Sequence, residues 1–145
     1  MIPSDITYTC VDRFLKYVRY DTQSSETSET YPSTLKQLVL GEELVRELLA
    51  MGLKDAEMDE FGYVMATIPA TVDKPGIPVV GFIAHMDTSP EVSGENVKPV
   101  LHENYNGKDI TLPADPSIVI TVDDNPDLSG KIGETIITSD GTTLL

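Results

Sequence analysis

The segment that most constrains the fold is the apolar run from Val79 to Ala84, which ends abruptly at His85 and Asp87. A short apolar run bounded by turn residues predicts a buried strand in the interior of a sheet. The carboxyl edge of such a strand is a common place for a ligand site in an α/β protein. Because side chains alternate along a strand, two residues at this spacing share one face. The run therefore predicts a strand that presents a histidine and a carboxylate together.

The spacing alone leaves two interpretations of His85 open, a hydrogen-bonded structural residue or a metal ligand. A ligating histidine usually donates its second ring N–H to a carboxylate, and Asp87 stands where it could accept that proton. The polar residues Thr88 and Ser89 follow at once, and this pattern is typical of a strand that opens into a functional loop. The pattern makes His85 the leading candidate for a metal ligand, and the structural interpretation stays open on spacing alone.

The first half of the chain predicts two helices and a hairpin. A helix capped at Ser4 or Asp5 runs to about Tyr17 or Val18, and Cys10 lies on its apolar stripe as a buried structural thiol. Residues 21–30 are polar and predict an exposed loop that could line an entrance. A second helix runs from Thr34 to about Met51, followed by a glycine suited to a left-handed cap. Residues 55–68 then predict a hairpin.

The second half predicts short, proline-interrupted structure. Strands are expected at 117–122 and 134–138, a turn at 139–141, and a returning strand at 142–145. The fold class is therefore α/β, with helices packed on a mixed β-sheet.

Composition narrows the partners and the chemistry. With 24 acidic residues against 10 basic, the net charge of −14 disfavours nucleic acid and anionic membrane surfaces as partners. No run approaches the roughly 20 apolar residues of a membrane helix, and the N-terminus lacks a leader pattern, so the expected location is the cytoplasm. The single cysteine rules out an internal disulfide and a cysteine-based zinc site. No phosphate loop or serine-hydrolase elbow is present.

The remaining candidates for chemistry have simpler explanations. His102 is expected in a loop as an ordinary surface residue. Asp123 and Asp124 precede Asn-Pro and are predicted to form a turn, and Asp140 fits a tight turn equally well.

Several stretches, in the same order along the chain, carry a resemblance to a known family. They are 13–18, 21–24, 65–70, 81–90, 103–110 and 133–145. They resemble the peptidase T family, tripeptide aminopeptidases among the dizinc aminopeptidase and carboxypeptidase-like metallopeptidases. The resemblance implies a cytoplasmic enzyme that uses two zinc ions to release the N-terminal residue of tripeptides. It also implies a homodimer formed through a smaller lid domain.

The resemblance assigns roles to two residues of this chain. His85 is implied as a ligand of one zinc, and Asp87 as the catalytic-site carboxylate that supports it. The metal-bridging aspartate, the general base, the other ligands and the lid domain are implied to follow Leu145. Residues 1–145 are thus expected to be the truncated N-terminal portion of a zinc-peptidase catalytic domain, inactive by itself.

Two alternatives to tripeptide hydrolysis stay open from the sequence. Related metallopeptidases cleave other amide bonds, and the pattern around His85 does not separate them from tripeptidases. A chain of this acidity could also be a non-catalytic interaction domain that has lost its metal centre.

Overall fold

The computed structural model describes residues 9–145, and within them the α/β class is confirmed. The described residues divide into two units, one of residues 22–90 and the other of residues 9–21 and 91–145. The strands of residues 9–145 form three separate two-stranded antiparallel sheets rather than one continuous mixed sheet. The helices and strands, in chain order, are α1 Cys10–Tyr17, α2 Gln37–Ala50, β1 Glu57–Met58, β2 Val64–Met65, β3 Val100–His102, β4 Ile110–Thr111, β5 Val119–Ile120, a 3-10 helix Pro126–Lys131 and β6 Ile136–Thr138.

In the unit of residues 22–90, α2 packs against the hairpin of β1 and β2. The hairpin is antiparallel, with Glu57 opposite Met65, and the residues between its strands include Gly62 at a φ of +87°. Gly41 lies on the buried side of α2, where a β-carbon would collide with the Met58 side chain, so its lack of a side chain permits the close approach. The predicted hairpin and second helix are confirmed, and the helix begins at Gln37, three residues later than expected.

The glycine after α2 behaves as its position predicts. Gly52 has a φ of +94°, and its N–H donates to the carbonyl of Leu49 at 2.9 Å. A left-handed residue at this position satisfies carbonyls that the end of a helix leaves unpaired.

The prediction of a buried strand from Val79 to Ala84 is wrong. The segment has no regular secondary structure, and Val79, Phe82 and Ile83 are 99%, 96% and 100% exposed. An apolar run forms a buried strand only when neighbouring strands accept its backbone hydrogen bonds and a layer covers its side chains. Within residues 22–90 no strand lies beside it.

In the other unit, β3 pairs with β6 and β4 pairs with β5. The core consists of the buried side chains of Tyr105, Ile110 and Leu112, with partly buried apolar side chains packed around them. Tyr105 satisfies its hydroxyl by donating to the carbonyl of Lys108 at 2.8 Å, so a polar tip is accommodated at the edge of an apolar cluster.

The prediction that residues 142–145 return as a strand is wrong. The strand before the turn, β6, pairs with β3 instead of with residues 142–145, which form no strand. The N–H of Leu144 donates to the carbonyl of Ser93 at 2.8 Å. The Asp140 side chain forms a local turn with the N–H of Thr142, and the predicted hairpin is absent from the described residues.

Helix α1 ends at Tyr17 as expected, but its apolar stripe is not buried. Among its residues none is buried, Cys10 is exposed, and Phe14 is 41% exposed. The prediction of a buried Cys10 thiol is therefore wrong, and the predicted cap at Ser4 or Asp5 lies outside the described residues. No helix in residues 9–145 is long and apolar enough to cross a membrane.

Candidate metal site

The structure brings His85 and Asp87 together in the unit of residues 22–90. His85 Nδ1 lies 3.0 Å from Asp87 Oδ1, and the two side chains are 84% and 46% exposed. An ionised carboxylate can only accept hydrogen bonds, so the contact requires the proton on Nδ1. When the ring is neutral, the other nitrogen, Nε2, then carries the lone pair that a metal can bind. The side chain that carries it is mostly exposed.

This geometry matches one part of a metal site. A neutral imidazole whose Nδ1–H is held by a carboxylate is the usual form of a ligating histidine. The donor set is not complete, because residues 9–145 hold no group of three or more His, Cys, Asp and Glu side chains that could bind an ion. The described residues thus offer one histidine that could bind a metal and the carboxylate that would support it.

The loop that follows Asp87 is held by a distant segment of the chain. The N–H of Thr88 donates to the carbonyl of Thr22 at 3.1 Å, and the carbonyl of Thr88 accepts from the N–H of Ser24 at 2.9 Å. These bonds flank a parallel bridge between Gln23 and Thr88. We call Thr22–Ser24 the clamp segment.

The clamp segment was expected to be part of an exposed polar loop. Thr22 is instead only 2% exposed and Gln23 forms the bridge, while residues 24–30 belong to no helix or strand. The sequence gives no signal for the pairing, because it uses backbone groups that every residue has. Beside it, the Thr88 hydroxyl is buried and has no hydrogen-bond partner among the described residues.

His102 is not the loop residue that the sequence predicts. It is the last residue of β3, it is half-buried, and its Nε2 lies 2.9 Å from Thr138 Oγ1 on the paired strand β6. The Thr138 hydroxyl donates to the carbonyl of Ser139 at 2.8 Å, so it must accept from His102. His102 therefore links two strands of the other unit.

Asp140 forms a local turn with Thr142, and both of its carboxylate oxygens have partners. Its Oδ1 accepts from the N–H and the hydroxyl of Thr142 at 2.9 and 2.6 Å, and Oδ2 lies 3.5 Å from Lys98 Nζ. The Thr142 hydrogen bonds, with a smaller contribution from the Lys98 charge, hold the pKa of Asp140 below its ordinary value. Asp140 is thus committed to its turn.

The other predicted turn, at 123–126, is also present. The Thr121 hydroxyl donates to Asp124 Oδ2 at 2.5 Å, and the N–H of Asp124 donates back to the same hydroxyl at 3.2 Å. The interpretation of these aspartates as turn formers agrees with this geometry.

Comparison with known proteins gives relatives for nearly the whole chain. No protein-family profile matches it. The chain is 56% identical over 135 residues to peptidase T of Halothermothrix orenii and 53% identical over 135 residues to peptidase T of Clostridium novyi. It is 56% identical over 137 residues to peptidase T of Alkaliphilus oremlandii. Each match covers 93% of this chain and 33% of the relative, so the chain spans about one third of the length of these proteins.

Proposed function

Because this chain is homologous to peptidase T over 93% of its length, we propose that the protein carrying it is a metallo-aminopeptidase that releases the N-terminal residue of tripeptides. The homology carries the proposal, and the pair of His85 and Asp87 supplies the chemistry expected at one side of a metal centre. We propose zinc as the metal, two ions in the complete site, and the cytoplasm as the location.

Two residues of this chain would serve the metal. His85 would bind one zinc through Nε2, the ring nitrogen that the Asp87 contact leaves free. Asp87 would hold the ring in the tautomer and orientation that binding requires. When bound, zinc polarises a peptide carbonyl and lowers the pKa of its water toward about 7. The role of Asp87 is to position the ligand, and the proton of the attacking water would go to another carboxylate.

We further propose that residues 1–145 correspond to the N-terminal portion of the catalytic domain. The relatives are about three times as long as the matched region, which leaves room for further ligands, a general base and a lid domain. Dimerisation is assigned to that lid. A catalytic zinc normally needs about three protein ligands, and residues 9–145 would supply one, His85. We therefore expect the 145-residue chain alone to hydrolyse no tripeptide, even with added zinc.

The test compares variants at the two histidines of the sequence in the complete protein that carries it. His85→Ala should lose most tripeptide hydrolysis and part of the bound zinc, measured by metal analysis of the purified protein. Asp87→Asn should bind zinc about 10-fold more weakly, the low end of the usual range because the pair is exposed. The matched control is His102→Gln, whose amide can still donate to Thr138.

Two results would contradict the proposal. Full zinc content and full activity in His85→Ala would remove the ligand assignment. Cleavage of dipeptides or acyl-amino acids in preference to tripeptides would place the protein among other amide hydrolases.

A further inference from the structure

We propose that Gln23 and Ser24 are positioning residues for the metal site, because they hold the backbone after Asp87 and thereby hold Asp87 against His85. The inference depends on the proposed function for the identity of the ligand that is positioned. Its geometry depends only on hydrogen bonds within residues 22–90.

The first step is the control of the Asp87–Thr88 peptide. The peptide unit is planar, so fixing the Thr88 N–H also fixes the carbonyl of Asp87. That N–H donates to the carbonyl of Thr22 at 3.1 Å. The next peptide unit is fixed as well, since the Thr88 carbonyl accepts from the Ser24 N–H at 2.9 Å. The backbone on the carboxyl side of Asp87 is therefore tied at two consecutive peptide units.

The second step is the contribution of two side chains of the clamp segment. The Ser24 hydroxyl donates to the Thr88 carbonyl at 2.9 Å, so this oxygen accepts two hydrogen bonds from one residue. The Gln23 side-chain amide donates through Nε2 to the carbonyl of Pro90 at 3.0 Å. Both contacts are partly buried and join residues more than 60 positions apart. These two side-chain hydrogen bonds add to the backbone pairing, which any residue could make.

The third step is the anchoring of the clamp segment itself. The Thr34 hydroxyl donates to the Gln23 carbonyl at 2.7 Å, and Lys36 Nζ lies 3.4 Å from Gln23 Oε1. Thr34 and Lys36 stand immediately before α2. The clamp segment is thus tied to the start of the longest helix of its unit.

The fourth step is that the segment preceding His85 and Asp87 gives them no comparable support. The run from Val79 to Ala84 is irregular and exposed, and no strand pairs with it in the described part of the chain. The orientation of Asp87 must then be determined mainly from its carboxyl side. Gln23 and Ser24 lie at that side.

The experiment measures the tautomer of His85 directly in the metal-free 145-residue chain. The sequence has two histidines, so imidazole nitrogen spectra contain only two ring systems. At about pH 8, where an ordinary imidazole is neutral, wild type should show His85 with its proton on Nδ1. Ser24→Ala should lower the ratio of the tautomer with its proton on Nδ1 to the tautomer with its proton on Nε2 by up to about fivefold. That factor corresponds to one ordinary hydrogen bond. Ser24→Thr, which keeps the hydroxyl, should restore it.

The matched control is Ser25→Ala. Among the described residues, the hydrogen-bond partner of the Ser25 hydroxyl is the exposed Thr27 hydroxyl, at 3.4 Å. Ser25→Ala should therefore leave the His85 tautomer as in wild type. Gln23→Met is the second variant, since it removes the bond to Pro90 and keeps the Ser24 bonds. It should shift the tautomer in the same direction and serves if Ser24→Ala does not fold.

Zinc affinity in the complete protein, measured by competition with a chromophoric chelator, gives the second readout. Ser24→Ala should bind zinc up to about fivefold more weakly, and Ser25→Ala normally. A folded Ser24→Ala or Gln23→Met chain with an unchanged His85 tautomer would overturn the positioning role. A tautomer shift in the variants, together with no zinc binding by wild type, would instead overturn the proposed function and leave the positioning role standing.

Discussion

Replacing Gly141 by alanine should destabilise the unit that contains the turn at 139–141. Gly141 has a φ of +101°, in a region that residues with a β-carbon rarely adopt. A β-carbon at this position would lie 3.0 Å from Leu112 Cβ and 3.3 Å from both Cβ and N of Asp115. These atoms belong to the main chain or are bonded to it, so they cannot rotate away. The buried side chain of Leu112 also belongs to the apolar core.

The two costs can be added to give a magnitude. A positive φ costs an L-residue about 1–2 kcal/mol. Crowding a well-packed site typically costs about 1–3 kcal/mol more. Because alanine also restricts the unfolded chain, about 0.4–1 kcal/mol is recovered. We expect a net loss of about 3 kcal/mol in the free energy of unfolding, a large part of the roughly 5–15 kcal/mol of an ordinary domain.

Gly133→Ala separates the two costs. Gly133 has a φ of +87° and lies in the same unit, but a β-carbon there would meet nothing within 4 Å. It should lose only about 1 kcal/mol, the backbone term less the unfolded-state term. Urea unfolding of both variants and wild type, followed by circular dichroism, measures the difference. Equal losses would refute the close contact with Leu112 and Asp115, and no loss in Gly141→Ala would refute the turn geometry itself.

Two further predictions concern acid stability and the apolar run. The pKa of Asp140 is lowered by its Thr142 hydrogen bonds, so its contribution to stability is complete above its ordinary pKa of 3.8 and is lost as the pH falls through the lower folded value. Asp140→Asn should flatten the acid dependence of the urea midpoint below about pH 4, and identical slopes would contradict this. Ile83→Lys should change the free energy of unfolding by no more than about 0.5 kcal/mol, because Ile83 is 100% exposed. A loss of several kcal/mol, as expected for a lysine placed in a buried strand, would favour the sequence prediction over the structure.

The sequence predicts those parts of the fold that depend on neighbouring residues. The hairpin of β1 and β2, the cap at Gly52 and the turn at Asp140 are each determined by a few consecutive residues with particular conformational preferences. Burial is a different kind of property. The stripe on α1 and the run from Val79 to Ala84 have the composition of buried elements, yet burial requires a partner surface contributed from elsewhere.

The candidate site divides in the same way. The spacing of His85 and Asp87 predicts their contact because both residues belong to one short segment. The pairing of Thr22–Ser24 with Thr88 could not be predicted from the residue types. Backbone groups make it, between segments more than 60 positions apart. The contact of His102 with Thr138 is equally non-local, joining residues 36 apart in sequence, and it depends on which strand pairs with β3.

The His85–Asp87 pair and the clamp segment have different roles, because their hydrogen bonds differ in strength. The bond between His85 and Asp87 is exposed, so it competes with water and adds little to stability. It nevertheless selects which ring nitrogen carries the proton, because the carboxylate can only accept. The side chains of Gln23 and Ser24 each donate one partly buried hydrogen bond, in addition to the backbone pairing. Each of these hydrogen bonds is worth about 1 kcal/mol. The ring chemistry therefore depends on Asp87, whereas the position of the pair depends on residues more than 60 positions earlier in the chain.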